Sequence, residues 1–316
     1  MILVAGENLI DLIQTGTGAD GAPLFEARPG GSPYNCARAL ARLGAPVGYL
    51  TPISTDPMGD MLADGLQAEG AVLLGGRSER PASLALVTLD AGQPRYRFYR
   101  DRTADRDITA AGLRQALPDR AAALHVGSMA LMAGPDAEAL AEVFDHAAGR
   151  GLLTSIDPNI RAGLLPPSDA AAYRARLGRL TAAARIVKLS DEDLHWVSQG
   201  APLETAAEAL MAEAAPALLV VTLGDDGALA WHDATRLRVP AAPVAGLVDT
   251  VGAGDAFMAG LLAGLLDTGA LTPKALEELP ASALKSILTR AARAAAITCS
   301  RRGCDPPTRA ELDGEG

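Results

Sequence analysis

Aromatic side chains make up only 3% of the 316 residues. That scarcity excludes the stacking platforms on which single-stranded nucleic acids are bound. Lysine occurs at Lys188, Lys274 and Lys285 alone, so nearly all positive charge is arginine. With a formal net charge of −10 and no basic run, the chain lacks the electrostatic footprint of a nucleic-acid binder. Three cysteines, Cys36, Cys299 and Cys304, form no even framework and imply a reducing compartment. Four scattered histidines offer no metal-ligand spacing. Met1 to Glu7 has no basic segment and meets an acid too early for a signal peptide. The longest apolar stretch, Val248 to Leu266, holds Asp249 and Asp255, which suits a buried helix better than a bilayer span. The expectation is a cytoplasmic protein without nucleic-acid or membrane partners.

Short apolar runs alternate with longer Ala/Leu-rich segments. Strands are expected at the start of Met1–Ile13, at Val47–Ile53, Val72–Leu74, Leu124–Val126, Leu152–Ile156, Ile186–Leu189 and Leu218–Thr222. Helices are expected over Asn35–Leu43, Met61–Glu69, Asp136–Gly149 and Glu204–Ala214, and through most of the chain from Asp255 onward. Such alternation predicts an α/β fold whose central, mostly parallel sheet is flanked by helices. Ala82–Leu89 and Tyr96–Tyr99, separated by Asp90-Ala91-Gly92-Gln93-Pro94, read as a hairpin and predict a small accessory β-sheet inserted in the first third. No linker divides the chain, so residues 1–316 are expected to form one domain.

Ligands of open α/β sheets sit beyond the carboxyl ends of the strands. Polar residues gather at those places, at Asn8 to Asp11, Gly127-Ser128, Asp157-Pro158-Asn159, Ser190-Asp191 and Gly224-Asp225. Gly16-Thr17-Gly18-Ala19-Asp20-Gly21 spells G-x-G-x-x-G, but Pro23 and Pro29 follow it and no helical period does. It reads as a turn rather than a dinucleotide loop. No phosphate-binding loop of the type ending in Gly-Lys-Ser/Thr is present.

The most informative segment is Asp249-Thr250-Val251-Gly252-Ala253-Gly254-Asp255-Ala256-Phe257, which opens a long apolar helix. Small residues at Gly252, Ala253 and Gly254 leave backbone N–H groups uncovered at a helix N-terminus, which suits an anion. Asp255 at its mouth either caps the helix or accepts a proton from a hydroxyl whose phosphoryl partner the amides hold. A second segment, Gly30-Gly31-Ser32-Pro33-Tyr34-Asn35, combines glycines that permit close backbone approach with an amide able to donate and accept, as polyol recognition requires.

Together these segments resemble the signatures of the ribokinase-like (PfkB) carbohydrate kinases, with bacterial fructokinases the nearest pattern. Further stretches share the likeness: Phe98–Arg106, His125–Ser128, Asp157–Arg161, Val187–Glu192 and Gly303–Thr308. The resemblance implies a ribokinase-like α/β domain with a small β lid from about 9–25 and 82–100. It implies transfer of the γ-phosphate of MgATP to a hexose, D-fructose to fructose 6-phosphate being the first choice. A 2-keto-3-deoxygluconate or other sugar-acid kinase is the alternative, and a non-catalytic sugar- or nucleotide-binding relative the third. Carried over by position, Asp255 is the implied base and Gly252, Ala253 and Gly254 the implied anion hole. Asp11, Gly30, Gly31, Asn35, Asn159 and Arg161 are the implied substrate contacts. Lys188, Ser190, Thr222, Gly224 and Gly227 would serve the nucleotide and Mg²⁺, and Asp249 a monovalent cation such as K⁺. Where many relatives carry Asn-x-x-Glu, this chain has Ser190-Asp191-Glu192-Asp193. Val251 and Ala292 also depart from the residues many relatives use. The lid offers an exposed sheet edge through which a homodimer would pair.

Overall fold

A computed structural model describes every residue except 91, 92, 245, 315 and 316. In chain order its strands are β1 (Ile2–Ala5), β2 (Leu9–Thr17), β3 (Pro23–Gly30), β4 (Val47–Tyr49), β5 (Ile53–Ser54), β6 (Val72–Leu73), β7 (Arg77–Ser78), β8 (Ser83–Asp90), β9 (Gln93–Tyr99), β10 (Ala123–Gly127), β11 (Leu153–Asp157), β12 (Ile186–Ser190), β13 (Leu218–Thr222), β14 (Ala228–His232) and β15 (Thr235–Val239). The α-helices are α1 (Ser32–Arg42), α2 (Pro57–Ala68), α3 (Ala110–Ala116), α4 (Pro135–Gly149), α5 (Ala170–Ala183), α6 (Asp191–Val197), α7 (Leu203–Ala214), α8 (Ala253–Asp267), α9 (Pro273–Glu277), α10 (Ala281–Cys299) and α11 (Arg309–Asp313).

Nine strands form the main sheet in the order β15-β14-β13-β12-β11-β10-β1-β4-β6. From β13 to β6 every pairing is parallel, and β14 and β15 close the edge antiparallel. The central strands read as continuous apolar runs because helices cover both faces. Ile2, Val4, Leu153, Ile186 and Val220 face a core shared with α1, α8 and α10. Leu3, Leu124, Ile156, Val187 and Val221 face a second core, against α4 and α5. Helices α8 and α10 approach so closely that a Cβ on Gly260 would stand 2.9 Å from the Ala291 Cα. The expected α/β architecture with a mostly parallel sheet is therefore the one found.

The first strand leaves the main sheet at Gly6–Asn8, and β2 joins a separate four-stranded sheet ordered β3-β2-β8-β9. The G-x-G-x-x-G string runs from the end of β2 into the loop before β3, where Gly21 N–H closes a turn on the Gly18 carbonyl (3.0 Å), and it starts no helix. Of the expected hairpin turn Asp90-Ala91-Gly92-Gln93-Pro94, Asp90 ends β8 and Gln93-Pro94 begin β9, while Ala91 and Gly92 lie outside the described residues.

Some boundaries differ from expectation for local reasons. Val47–Ile53 splits, because Pro52 interrupts it and Ile53–Ser54 pairs with β7 instead. The first helix begins at Ser32 rather than Asn35, since Pro33 in its first turn favours a helix start. Helix α2 begins at Pro57 rather than Met61, under an Asp56 side chain that accepts the Gly59 N–H at 2.7 Å. The antiparallel β14–β15 hairpin was not anticipated.

Candidate active site

The C-terminal ends of β11, β12 and β13 bring four polar residues together. Register places Asp157 next to Lys188, and pairs Ser190 with Thr222. Lys188 Nζ donates to Asp157 Oδ2 at 2.7 Å, and both side chains are buried. Burial pulls the Lys188 pKa down, but the Asp157 charge and hydrogen bond, with Asp255 and Asp193 behind them, hold it above the ordinary lysine value. Lys188 is thus a fixed cation at the sheet edge.

Helix α8 points its N-terminus at this cation. Gly252 is its N-cap, in the left-handed conformation (φ 78°), and a side chain there would collide with Cys304. The Ala253 amide turns back to the Thr250 carbonyl at 3.3 Å, and the helical ladder begins with Ala256 N–H to the Gly252 carbonyl at 2.8 Å. The amides of Gly254 and Asp255 are left free by helix geometry. A Cβ on Gly254 would lie 3.0 Å from Lys188 Nζ, so amides and ammonium share one corner. That corner combines helix dipole, bare N–H groups and a buried cation, the requirements of a phosphoryl site.

Asp255 is the third residue of α8 and is only 5% exposed. It does not cap its own helix. Its Oδ1 accepts the Ser32 hydroxyl at 2.6 Å and its Oδ2 accepts the Asn35 amide at 2.9 Å. Burial raises its pKa to about 6; the Ser32 and Asn35 hydrogen bonds oppose the rise, Asp157 adds to it and Lys188 counters it. Such a carboxylate is charged at neutral pH yet basic enough to take a proton. Ser32 was not picked out from the sequence, where a serine in a glycine-rich turn looks like linker.

A second group lies on the four-stranded sheet. A side chain at Gly30 would strike the Asp11 carboxylate, and a Cβ on Gly31 (φ 102°) would come 2.6 Å from the Glu7 carbonyl oxygen. The glycine pair is therefore required by close packing. Burial raises the Asp11 pKa to about 6, with Arg161 partly offsetting it. Tyr96 on β9, half exposed, feels Asp11, Arg161 and Asp249 together. Asn159 follows β11 at φ 40°, a strained non-glycine conformation of the kind that collects at working sites. The sequence reading passed over Tyr96.

Other candidates are occupied by the fold. Ser190 and Asp193 form a reciprocal capping box at the start of α6, and Asp193 Oδ1 also accepts the Ile160 N–H at 2.8 Å. Both side chains are committed to positioning α6 and the 158–161 loop. Thr222 donates to the Leu189 carbonyl at 3.3 Å. Gly224 (φ 58°) is open, whereas Gly227 (φ 89°) packs against the backbone after β15, where a Cβ would be 2.6 Å from the Ala241 nitrogen. Asp249 accepts the amides of Val251 (3.1 Å) and Gly303 (2.9 Å), tying the turn before α8 to the loop after α10. His125 is a buried core residue 3.0 Å from Ser155 Oγ, and burial, with Lys188, lowers its pKa to about 3.

For Mg²⁺ the informative atom is Asp157 Oδ1, which is buried and has no partner among the described residues. Among the described residues no group of three His, Cys, Asp or Glu side chains could hold a metal. One carboxylate with a free oxygen suits Mg²⁺, whose remaining shell phosphates and water complete.

The pfkB family carbohydrate kinase model matches residues 1–311. The chain belongs to that family and is a sugar kinase. It is 38% identical to a fructokinase of Rhizobium leguminosarum bv. trifolii over 90% of this chain and 86% of that protein. It is 34% identical to fructokinase-1 of Oryza sativa subsp. japonica over 99% and 96%. The structure of a Xylella fastidiosa fructokinase with bound ATP superposes with a TM-score of 0.90 at 28% identity, covering 99% of this chain and 97% of that one. Among the described residues no helix is long and apolar enough to cross a membrane.

Proposed function

We propose that this sugar kinase transfers the γ-phosphoryl group of ATP to the 6-hydroxyl of D-fructose. The observation that carries the chemistry is Asp255, buried, held on both oxygens and set at the free N-terminus of α8 beside Lys188. Fructose and ATP are supported by the relatives named above. Asp255 accepts the proton of the sugar hydroxyl as its oxygen bonds to the γ-phosphorus. The bond from that phosphorus to the β,γ-bridging oxygen breaks, and ADP leaves with the electron pair. The free amides of Gly254 and Asp255, with Lys188, stabilise charge on the phosphoryl oxygens, which is where most of the barrier lowering in such transfers arises. Mg²⁺ held by the nucleotide and Asp157 supplies charge neutralisation when bound.

Asp11, Gly30, Gly31 and Asn35, with Asn159 and Arg161, form the sugar side. Thr222 and Gly224 extend the site toward the nucleotide, and Gly227 shapes the turn that carries them. The four-stranded sheet serves as a lid that keeps water from competing as acceptor. Leu24, Phe25, Tyr96 and Tyr99 are exposed on that sheet and supply an apolar surface for pairing with a second copy. Sedimentation of the purified protein tests the homodimer.

The functional test is ADP release across fructose, ribose, 2-keto-3-deoxygluconate and nucleosides, with and without potassium. Fructose is expected to give the highest kcat/KM. A preference for the sugar acid would transfer the assignment to the alternative substrate, with Arg161 facing its carboxylate. Sugar binding without turnover would overturn the kinase chemistry assigned to Asp255.

A further inference from the structure

We propose that Ser32 is a positioning residue for phosphoryl transfer, its hydroxyl fixing the carboxylate of Asp255 through a bond donated to Oδ1. The inference rests on the reading of Asp255 as the base.

Ser32 is the first residue of α1, yet its hydroxyl does not serve that helix. The N-cap is Gly31, and no side chain caps α1. A serine in the first turn ordinarily spends its oxygen on nearby backbone. Here it reaches across 223 positions of sequence to Asp255 at 2.6 Å. Ser32 and Asn35 stand three residues apart, so they share one face of the first turn of α1. From that face they hold Oδ1 and Oδ2 of the same carboxylate.

Two donors on two oxygens fix the carboxylate plane, which one donor leaves free to turn. Among the described residues each oxygen accepts a single side-chain hydrogen bond, so lone pairs remain for the sugar hydroxyl. The anchor is rigid at its other end. Gly31 presses on the Glu7 backbone, where the chain passes from the main sheet to the small one, and so fixes the start of α1. Without the Ser32 hydroxyl, Oδ1 is left buried and unpartnered, which is costly enough to drive a search for another donor. Lys188 is the cation at that corner, and rotation toward it would take the base off the line of the acceptor hydroxyl.

The test compares kcat and both KM values for the wild type, Ser32→Ala, Ser32→Thr, Asp255→Asn and the Ser32→Ala/Asp255→Asn double variant. Ser32→Ala is expected to lower kcat about 10- to 100-fold, the scale on which small misplacements of a reacting group act, with both KM values within about three-fold. Ser32→Thr, which keeps the hydroxyl, restores most of the loss. In the Asp255→Asn background Ser32→Ala costs nothing further, because the group it positions is gone. A Ser32→Ala enzyme with wild-type kcat, or an equal loss in both backgrounds, overturns the role of Ser32 while leaving Asp255 in place. Near-normal turnover by Asp255→Asn itself overturns the base, and this inference with it.

Discussion

Lys188 and Asp157 face each other across two neighbouring parallel strands, 2.7 Å apart, with 5% and 2% of their side-chain surfaces exposed. So dry an ion pair is not retained for its net stabilisation, because desolvation offsets most of the attraction. Its value is a cation held immobile beside the α8 N-terminus. Lys188→Met leaves the Asp157 carboxylate buried and uncompensated, and urea denaturation should register a loss of about 3–5 kcal/mol. Adding Asp157→Leu should recover most of that stability and none of the turnover. Recovery of turnover in the double variant would show that Lys188 has no part in the chemistry.

Asp255 links activity and stability to pH in opposite senses. Its folded-state pKa, raised by burial from 3.8 to about 6, lies above that of the unfolded chain. The folded protein therefore binds this proton more tightly, and ionisation of Asp255 opposes folding at every pH above about 6. That opposition fades as pH falls from about 6 toward 3.8. With Asp255 as the proposed base, turnover needs its ionised form, so kcat should fall as pH drops through about 6. Asp255→Asn removes the buried charge while its amide can still meet Ser32 and Asn35. It should lose orders of magnitude in kcat and, at pH 8, melt at a higher temperature than the wild type. A lower melting temperature at pH 8 would contradict the assigned cost of that charge.

Asp11, as the proposed sugar contact, should govern substrate affinity on the same physical grounds. It is a largely buried carboxylate at the glycine pair, with Arg161 as its charged neighbour. A sugar hydroxyl donating to it gains a charge-assisted hydrogen bond worth roughly 1.5–3 kcal/mol. Asp11→Ala should therefore raise the KM for fructose by about 10- to 100-fold, with the KM for ATP little changed. An unchanged fructose KM would remove Asp11 from the sugar site.

Much of this arrangement was legible in the sequence because burial imposes patterns. Leu218–Thr222 reads as a strand with the bounds it has, since a strand covered on both faces must be apolar throughout. The glycine turn and long apolar helix around Asp255 announced themselves for the same reason. What was illegible is pairing at a distance. Nothing local to Asn35 indicates that its partner lies 220 residues onward, and Ser32 in a glycine-rich turn carries no mark of its task. Ser190-x-x-Asp193 has the spacing of a capping box and serves as one, although it stands where many relatives carry Asn-x-x-Glu. Gly227 is demanded by backbone packing, a cause visible only once β15 lies against its turn.

The two glycines of the anion corner should fail in different ways. At Gly252 a methyl group meets Cys304 and the left-handed backbone, so Gly252→Ala perturbs both the fold and the amides that follow. At Gly254 the backbone is helical and the methyl meets only the Lys188 ammonium, at 3.0 Å, a contact relieved by a shift of a few tenths of an ångström. Gly254→Ala should keep the melting temperature within a few degrees while kcat falls, by up to the 10²–10³-fold typical of losing one oxyanion donor. Wild-type kcat in Gly254→Ala would mean that the phosphoryl group does not visit the space between that amide and Lys188.

The lid hairpin is rooted in one buried carboxylate. Asp105 accepts the hydroxyls of Ser83 (2.6 Å) and Thr103 (2.7 Å) on Oδ1 and the Arg100 guanidinium (2.6 Å) on Oδ2. Ser83 begins β8 and Arg100 follows β9, so both ends of the hairpin are tied to the same side chain. Asp105→Ala leaves two hydroxyls and a largely buried cation short of their shared acceptor. Amide hydrogen exchange should quicken through β8 and β9 and remain slow in β10 to β13, because only the lid loses its anchor. A lid that closes poorly admits water to the phosphoryl corner, so ATP hydrolysis without sugar should rise relative to sugar phosphorylation. Faster exchange with an unchanged ratio would separate the hairpin from water exclusion and assign Asp105 to stability alone.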